Sequence, residues 1–138
     1  AQMPDAAIGT DVIAGFPGET ERDVGELESF LREISPSYLH VFPYSDRPGT
    51  EASAMPSKVP VPVVRRRAER LRGIARELSA RFADGQAGTE RAALTLGEGA
   101  VALTDNYLKL RIARGRARNE RVRVRILPGR PLRGEVVA

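Results

Sequence analysis

The residues able to do chemistry in this chain cluster around two loops rich in glycine and proline. Gly15-Phe16-Pro17-Gly18-Glu19-Thr20 presents backbone N–H groups at the start of a helix, the arrangement that receives a phosphate when a cation stands nearby. Here Glu19 stands where that phosphate would go, and no Lys or Arg precedes Arg22. An acidic first turn suits the helix dipole and repels an anion, so the loop suits a neutral or cationic ligand. A plain strand-to-helix turn that uses glycine for its positive φ is the alternative. In the second loop, Ser45-Asp46-Arg47-Pro48-Gly49-Thr50, Arg47 either clamps a carboxylate or phosphate bidentately or pairs with Asp46 or Glu51. His40, the single histidine, reads as a hydrogen-bonded core residue, with a catalytic role as the alternative if its strand face lines a barrel lumen. Zero cysteines exclude disulfides, thiolate metal sites and a cysteine nucleophile. One histidine argues against a histidine metal centre or a Ser-His-Asp triad.

The elements that must hold these residues follow from pattern. Val12-Ile13-Ala14 is a short apolar run bounded by glycines and reads as a buried strand. Thr20 with Asp23 three residues on makes an approximate capping box. Glu21 to Ile34 is predicted helical, with Val24, Leu27, Leu31 and Ile34 inward and Glu26, Glu28 and Glu33 in water. Ser35-Pro36-Ser37 ends that helix, and Tyr38 to Tyr44 forms a second strand with Tyr38, His40, Phe42 and Tyr44 on one face and Leu39 and Val41 on the other. Strand, helix, strand is a βαβ unit, whose loops at the strands' C-terminal ends converge on the ligand face. Two parallel strands and one helix do not make a domain, so further strands must complete the sheet. Ala1 to Ala7 reads as the tail of an earlier helix.

Charge divides the chain. Residues 1–58 carry four basic and ten acidic side chains, residues 59–138 eighteen basic and eight acidic, within a net charge of +4. The sign changes at the proline-rich stretch Met55 to Pro62, and a polyanion, most simply nucleic acid, fits the basic part. Val59 to Phe82 is predicted as a long helix with Val64, Ala68, Leu71, Ala75, Leu78 and Phe82 in one stripe. Its arginines 65, 66, 67, 70, 72 and 76 form either a solvated face or a basic bridge leading RNA inward. Asp84 to Gly88 is the linker that ends it.

Residues 89–138 alternate as a small β module, with strands predicted at Glu90–Leu96, Ala100–Thr104, Leu108–Ala113, Arg121–Leu127 and Leu132–Val137. Five short strands suggest a closed or nearly closed barrel of the kind used by nucleic-acid binders. Leu108, Leu110, Ile112, Val122, Val124 and Ile126 point inward; Lys109, Arg111, Arg121, Arg123 and Arg125 point outward. Ten basic against two acidic side chains in residues 106–138 predict phosphate-backbone binding that weakens with salt. Tyr107 is either a half-buried strand residue or a base-stacking aromatic. No apolar run approaches membrane-spanning length and no signal peptide is evident, so a soluble cytoplasmic protein without membrane partners is expected.

Together these pieces resemble a known family. Gly9-Thr-Asp-Val-Ile-Ala-Gly-Phe-Pro-Gly-Glu-Thr20, Tyr38-Leu-His-Val-Phe-Pro-Tyr-Ser-Asp-Arg-Pro-Gly-Thr50 and Met55-Pro…Val59-Pro are similar to the C-terminal part of the radical SAM tRNA methylthiotransferases. Phe42 to Thr50 and Thr104-Asp-Asn-Tyr-Leu-Lys109 look most like the branch acting on threonylcarbamoyladenosine. The resemblance implies an α+β chain in three parts: residues 1–58 as the C-terminal βαβ fragment of a partial TIM-type barrel, residues 59–84 as a basic amphipathic helix, and residues 85–138 as a TRAM-like (OB-like) five-stranded RNA-binding barrel. It implies S-adenosylmethionine and two [4Fe–4S] clusters in the full-length enzyme, and methylthiolation at C2 of the adenosine next to the anticodon. Gly15, Phe16, Pro17, Phe42 and Tyr44 then neighbour S-adenosylmethionine, with Arg47 a further contact to it or to substrate. The family's Cys-x-x-x-Cys-x-x-Cys motif is absent, so this chain alone is expected to hold no cluster and to be inactive. Its partners would be tRNA, the N-terminal remainder of the enzyme, and a second copy through exposed barrel strands. A stand-alone RNA-binding module without enzymatic activity is the alternative.

Overall fold

The computed structural model describes residue 3 and residues 5–137. It forms two compact units, one of residues 8–79 and one of residues 80–137 with the described residues ahead of Ile8. In chain order the elements are β1 (Gly9–Ala14), α1 (Glu21–Ile34), β2 (Tyr38–Pro43), α2 (Glu51–Ala54), α3 (Val61–Gly85), β3 (Glu90–Leu96), β4 (Val101–Thr104), β5 (Lys109–Arg111), β6 (Arg121–Leu127) and β7 (Arg133–Val137). The expected helical tail over residues 1–7 lies partly outside the described residues, and Asp5 to Ala7 are a turn and irregular chain.

In the first unit β1 and β2 run parallel, Gly9 opposite Tyr38 through Ala14 opposite Pro43. Alternation sends Val12, Ala14, Leu39 and Val41 to one face, where Leu27 and Leu31 of α1 and Ala68, Leu71, Ile74 and Leu78 of α3 cover them. The opposite face carries Asp11, Ile13, Tyr38, His40 and Phe42, and there Ile13 is 53% and Phe42 51% exposed. Parallel sheets are ordinarily covered on both faces. Among the described residues no third strand joins this pair.

The capping box forms as expected. Thr20 N–H donates to Asp23 Oδ2 at 2.7 Å and Asp23 N–H donates to Thr20 Oγ1 at 3.3 Å. Val24 and Leu31 are buried, but Ile34 at the helix end is 48% exposed, because the chain leaves the helix immediately through Ser35 at φ 46°. Gly15, at φ 83°, is where the β1 terminus meets α3: a Cβ there would lie 2.4 Å from Val64 Cγ2. Positive φ and contact both exclude a side chain at that position.

Helix α3 starts two residues later than its periodicity predicts and continues through Asp84 and Gly85, which the sequence assigns to a linker. Ile74 and Ala83 are buried on it, whereas Phe82 is only half-buried. The short α2 leaves no periodic signal; Thr50 caps it, its hydroxyl accepting from Ser53 N–H at 3.3 Å.

The second unit is a closed barrel in the order β3-β4-β5-β7-β6. Leu110, Ile112, Val124 and Ile126 fill it, as the alternation predicts, together with Ala93 and Ala102, which the sequence reading did not name, and with Leu108 and Val122 packed alongside. β3 and β6 match their predicted bounds; β4, β5 and β7 are one to three residues shorter. Thr95 is fully buried. Its hydroxyl donates to Ala117 O at 2.6 Å and accepts from Glu120 N–H at 2.8 Å, tying the 114–120 loop to β3. Among the described residues no helix is long and apolar enough to cross a membrane.

Candidate functional site

At the C-terminal ends of β1 and β2 lies a cavity of about 540 Å³ whose walls include Asp11, Ile13, Phe16, Phe42, Tyr44 and Arg47. Parallel pairing brings Ile13 opposite Phe42, and the loop after β1 carries Phe16 edge-on to Tyr44, ring centroids 5.5 Å apart. Of the six cofactor neighbours nominated from the sequence, Phe16, Phe42, Tyr44 and Arg47 meet here. Gly15 and Pro17 are buried and do not line the cavity.

The loop's first donor is satisfied internally. Gly15 N–H donates to both carboxylate oxygens of Glu19, at 2.9 and 3.0 Å, and Arg67 Nη1 holds Glu19 Oε1 at 2.8 Å. Glu19 is therefore the built-in anion of this loop. That corrects the reading of the α3 arginines for Arg67 and Arg70, which are neither a solvated face nor a bridge for RNA, while Arg65 and Arg66 are exposed. Arg67 is 6% exposed and also donates to Glu19 O at 3.0 Å and to Glu21 at 3.3 Å. Arg70 pairs with Glu21 and, at 2.9 Å, with Glu28. Glu28, expected in water, is turned into that pair. The hydrogen bond from Arg70 is the main reason the Glu21 carboxyl lies below the usual carboxylate range.

The far rim is a second polar cluster. Tyr44 O–H donates to Asp46 Oδ1 at 2.8 Å, and Lys58 Nζ reaches Asp46 at 2.5 Å and Ala52 O at 2.6 Å. Asp46 is thus taken, and among the described residues Arg47 has no carboxylate partner, so its guanidinium is free at the cavity wall. Burial first, then the bond to Asp46, raises the Tyr44 phenol; the bond to Asp46 raises Lys58; the bond from Lys58 lowers Asp46. A lowered carboxyl stabilises the fold above its unfolded value and loses this as pH falls through the folded one. The raised phenol and ammonium stabilise it below their unfolded values and lose this as pH rises through the folded ones. The rim is therefore intact across the neutral range. Tyr44 is expected to ionise above free tyrosine, and Asp46→Asn to bring that titration down, as followed by ultraviolet absorbance of the phenolate.

His40 is not a core residue. Its Nδ1 lies 3.1 Å from Asp11 Oδ1, its register partner, and both side chains are more than half exposed. The exposure follows from the uncovered sheet face.

On the barrel, Lys109, Arg111, Arg121, Arg123 and Arg125 all point outward, but not all are equally available. Arg125 pairs with Glu90 at 2.7 Å and Arg123 reaches the same carboxylate at 3.9 Å. Lys109, Arg111 and Arg121 have no carboxylate partner among the described residues. Arg133 belongs with them although the sequence reading passed over it: β5 and β7 meet in parallel with Arg111 opposite Arg133. The outward alternation of Arg133 and Glu135 about Gly134 was the signal for it. Like charges directly opposite across strands destabilise a sheet, so the pair concentrates positive charge on that seam. Tyr107 is neither half-buried nor in a strand. It is 72% exposed, in the turn before β5.

No protein-family model matches the chain. Comparison with curated proteins returns methylthiotransferases at 38–51% identity, and the chain is homologous to the C-terminal part of the radical SAM members of that family. The threonylcarbamoyladenosine tRNA methylthiotransferase MtaB of Aquifex aeolicus is 41% identical over 108 residues, 78% of this chain and 26% of the relative. The ribosomal protein uS12 methylthiotransferase RimO of Acidothermus cellulolyticus is 45% identical over 102 residues, 74% of this chain and 20% of the relative. A tRNA-2-methylthio-N(6)-dimethylallyladenosine synthase of a Nocardioides species is 48% identical over 79 residues, 57% of this chain and 16% of the relative. The chain thus spans about a quarter or less of the length of these relatives.

Proposed function

We propose that this chain is the C-terminal portion of a cytoplasmic tRNA-modifying methylthiotransferase, supplying one wall of the S-adenosylmethionine pocket and the surface that grips tRNA. Residues 1–58 act as the end of a radical SAM partial barrel, residues 59–84 as the connecting helix, and residues 85–138 as a TRAM-like domain of OB type. The observation that carries the reading is the one-sided parallel sheet, whose open aromatic face runs into the cavity holding Phe16, Phe42, Tyr44 and Arg47.

The cavity residues suit S-adenosylmethionine. Phe42 and Phe16 offer flat apolar walls for an adenine, the Asp11 carboxylate suits a sulfonium, and the free Arg47 suits an amino-acid carboxylate. Glu19 excludes phosphate from the loop, in keeping with a ligand that has none. When bound, S-adenosylmethionine supplies the methyl group and the radical chemistry of the class. The [4Fe–4S] clusters do not fit this chain, which has no cysteine; their ligands belong to the remainder of the enzyme.

The proposed product carries a methylthio group at C2 of N6-threonylcarbamoyladenosine beside the anticodon, the nucleoside named for the Aquifex and Treponema pallidum relatives. Lys109, Arg111, Arg121 and Arg133, without a carboxylate partner among the described residues, support tRNA as partner, with Arg123 and Arg125 beside them. A direct test replaces the matching last part of the Aquifex aeolicus enzyme by this chain and expresses the chimera in cells lacking the activity. Methylthiolated threonylcarbamoyladenosine in digested tRNA is the expected result. A methylthio group on ribosomal protein uS12 instead, or on neither, would overturn the assignment.

A further inference from the structure

The turn between β4 and β5 holds an aromatic side chain in a conformation that packing does not reward. Tyr107 has φ 65°, a left-handed backbone that is costly for a non-glycine residue. With the side chain 72% exposed, little buried area offsets that cost. Beneath it the turn is held rigidly. Asn106 is 5% exposed; its amide donates to Gln86 Oε1 at 2.9 Å and to Asp5 O at 3.2 Å, and its oxygen accepts from Thr104 Oγ1 at 2.7 Å. Arg91 closes the network on Gln86 at 3.0 Å and Asp5 at 2.8 Å. Backbone strain maintained by a buried network, in order to display an exposed ring, points to a function.

Tyr107 borders a shallow cavity of about 430 Å³ lined also by Met3, Asp5, Arg91, Asp105 and Asn106. Its chemistry differs from that of the arginine surface. Asp5 and Asp105 leave it without surplus positive charge, so it does not suit a phosphate. A ring for stacking, an apolar Met3 and carboxylates able to accept hydrogen bonds suit a base. We propose that this turn seats a single unpaired nucleobase bearing an exocyclic amine (adenine, cytosine or guanine), stacked on Tyr107 with Asp105 accepting from the amine. The proposal rests on the RNA-binding reading of the barrel and adds to it a base-recognising subsite separate from the backbone grip.

The test measures binding of the full chain to single-stranded oligoadenylate and oligouridylate and to a blunt RNA duplex across a salt series, by fluorescence anisotropy. Tyr107→Asn keeps a residue tolerant of the left-handed turn while removing the ring. It is expected to weaken oligoadenylate binding about tenfold at every salt concentration, since base–aromatic stacking contributes on that order, while leaving the salt slope and the duplex affinity unchanged and the melting temperature no lower than the parent's. Tyr107→Phe should bind within about twofold of the parent, because the stack survives. Asp105→Asn should narrow the preference for adenylate over uridylate. Equal binding by parent and Tyr107→Asn, with Arg111→Ala/Arg133→Ala still lowering the salt slope, would overturn the base seat and leave the RNA reading standing. No RNA binding by the parent at low salt would overturn both.

Discussion

Arg67→Met is expected to destabilise the unit of residues 8–79 by about 3–5 kcal/mol, the usual cost of removing one partner from a buried ion pair. The Arg67 side chain is 7% and that of Glu19 12% exposed, so the loss leaves a carboxylate facing Gly15 N–H with no counter-charge. The backbone bond from Arg67 to Glu19 O disappears with it. Arg70 keeps Glu21 occupied, which confines the damage to the loop. Arg67→Met with Glu19→Gln together should recover most of the loss, because the amide oxygen can still accept from Gly15 N–H and no unpaired charge is left behind. Urea unfolding followed by circular dichroism measures both, with the exposed Arg65→Ala as a control expected to change stability by less than about 0.5 kcal/mol. A single mutant as stable as the control would mean that the loop is shaped by glycine geometry alone.

The second large effect is electrostatic. Lys109, Arg111, Arg114, Arg118, Arg121 and Arg133 have no carboxylate partner among the described residues, and six phosphate contacts would give a log–log salt slope of about −5 on duplex RNA. Affinity for tRNA should therefore fall about a thousandfold between roughly 50 and 200 mM salt. Arg111→Ala with Arg133→Ala should flatten the slope by nearly two, at about 0.9 per contact. Arg125→Ala should flatten it far less, because Glu90 at 2.7 Å already neutralises that guanidinium. Equal effects from the two surfaces would show that ion pairing within the barrel does not decide which arginines meet the polyanion.

Legibility from sequence tracked how directly a pattern reports burial. In β6, Arg121 to Leu127, alternate residues face either a closed apolar interior or water, so the two-residue period could be read without ambiguity. Thr20 with Asp23 was equally plain, since a capping box is local chemistry. The arginines of α3 were not legible: a buried, paired Arg67 and a solvated Arg66 look identical along a helix, and only the position of Glu19 and Glu21 in space separates them. The cavity was half-legible. Strand alternation put Phe42 and Tyr44 on one face and the family resemblance put them beside the cofactor, but the turning of Gly15 toward Val64 depends on where α3 docks. Tyr107 was visible as a possible stacking ring, but its place in a turn was not, because a left-handed backbone is anticipated for glycine or asparagine and seldom for an aromatic residue.

The single ladder position joining β5 to β7, Arg111 opposite Arg133, makes that seam the thinnest line of closure around the cylinder. Its like charges push apart where hydrogen bonding is sparsest. A polyanion lying across both guanidinium groups would act as a stitch, so that occupancy of the outer surface and integrity of the wall beneath it rise together.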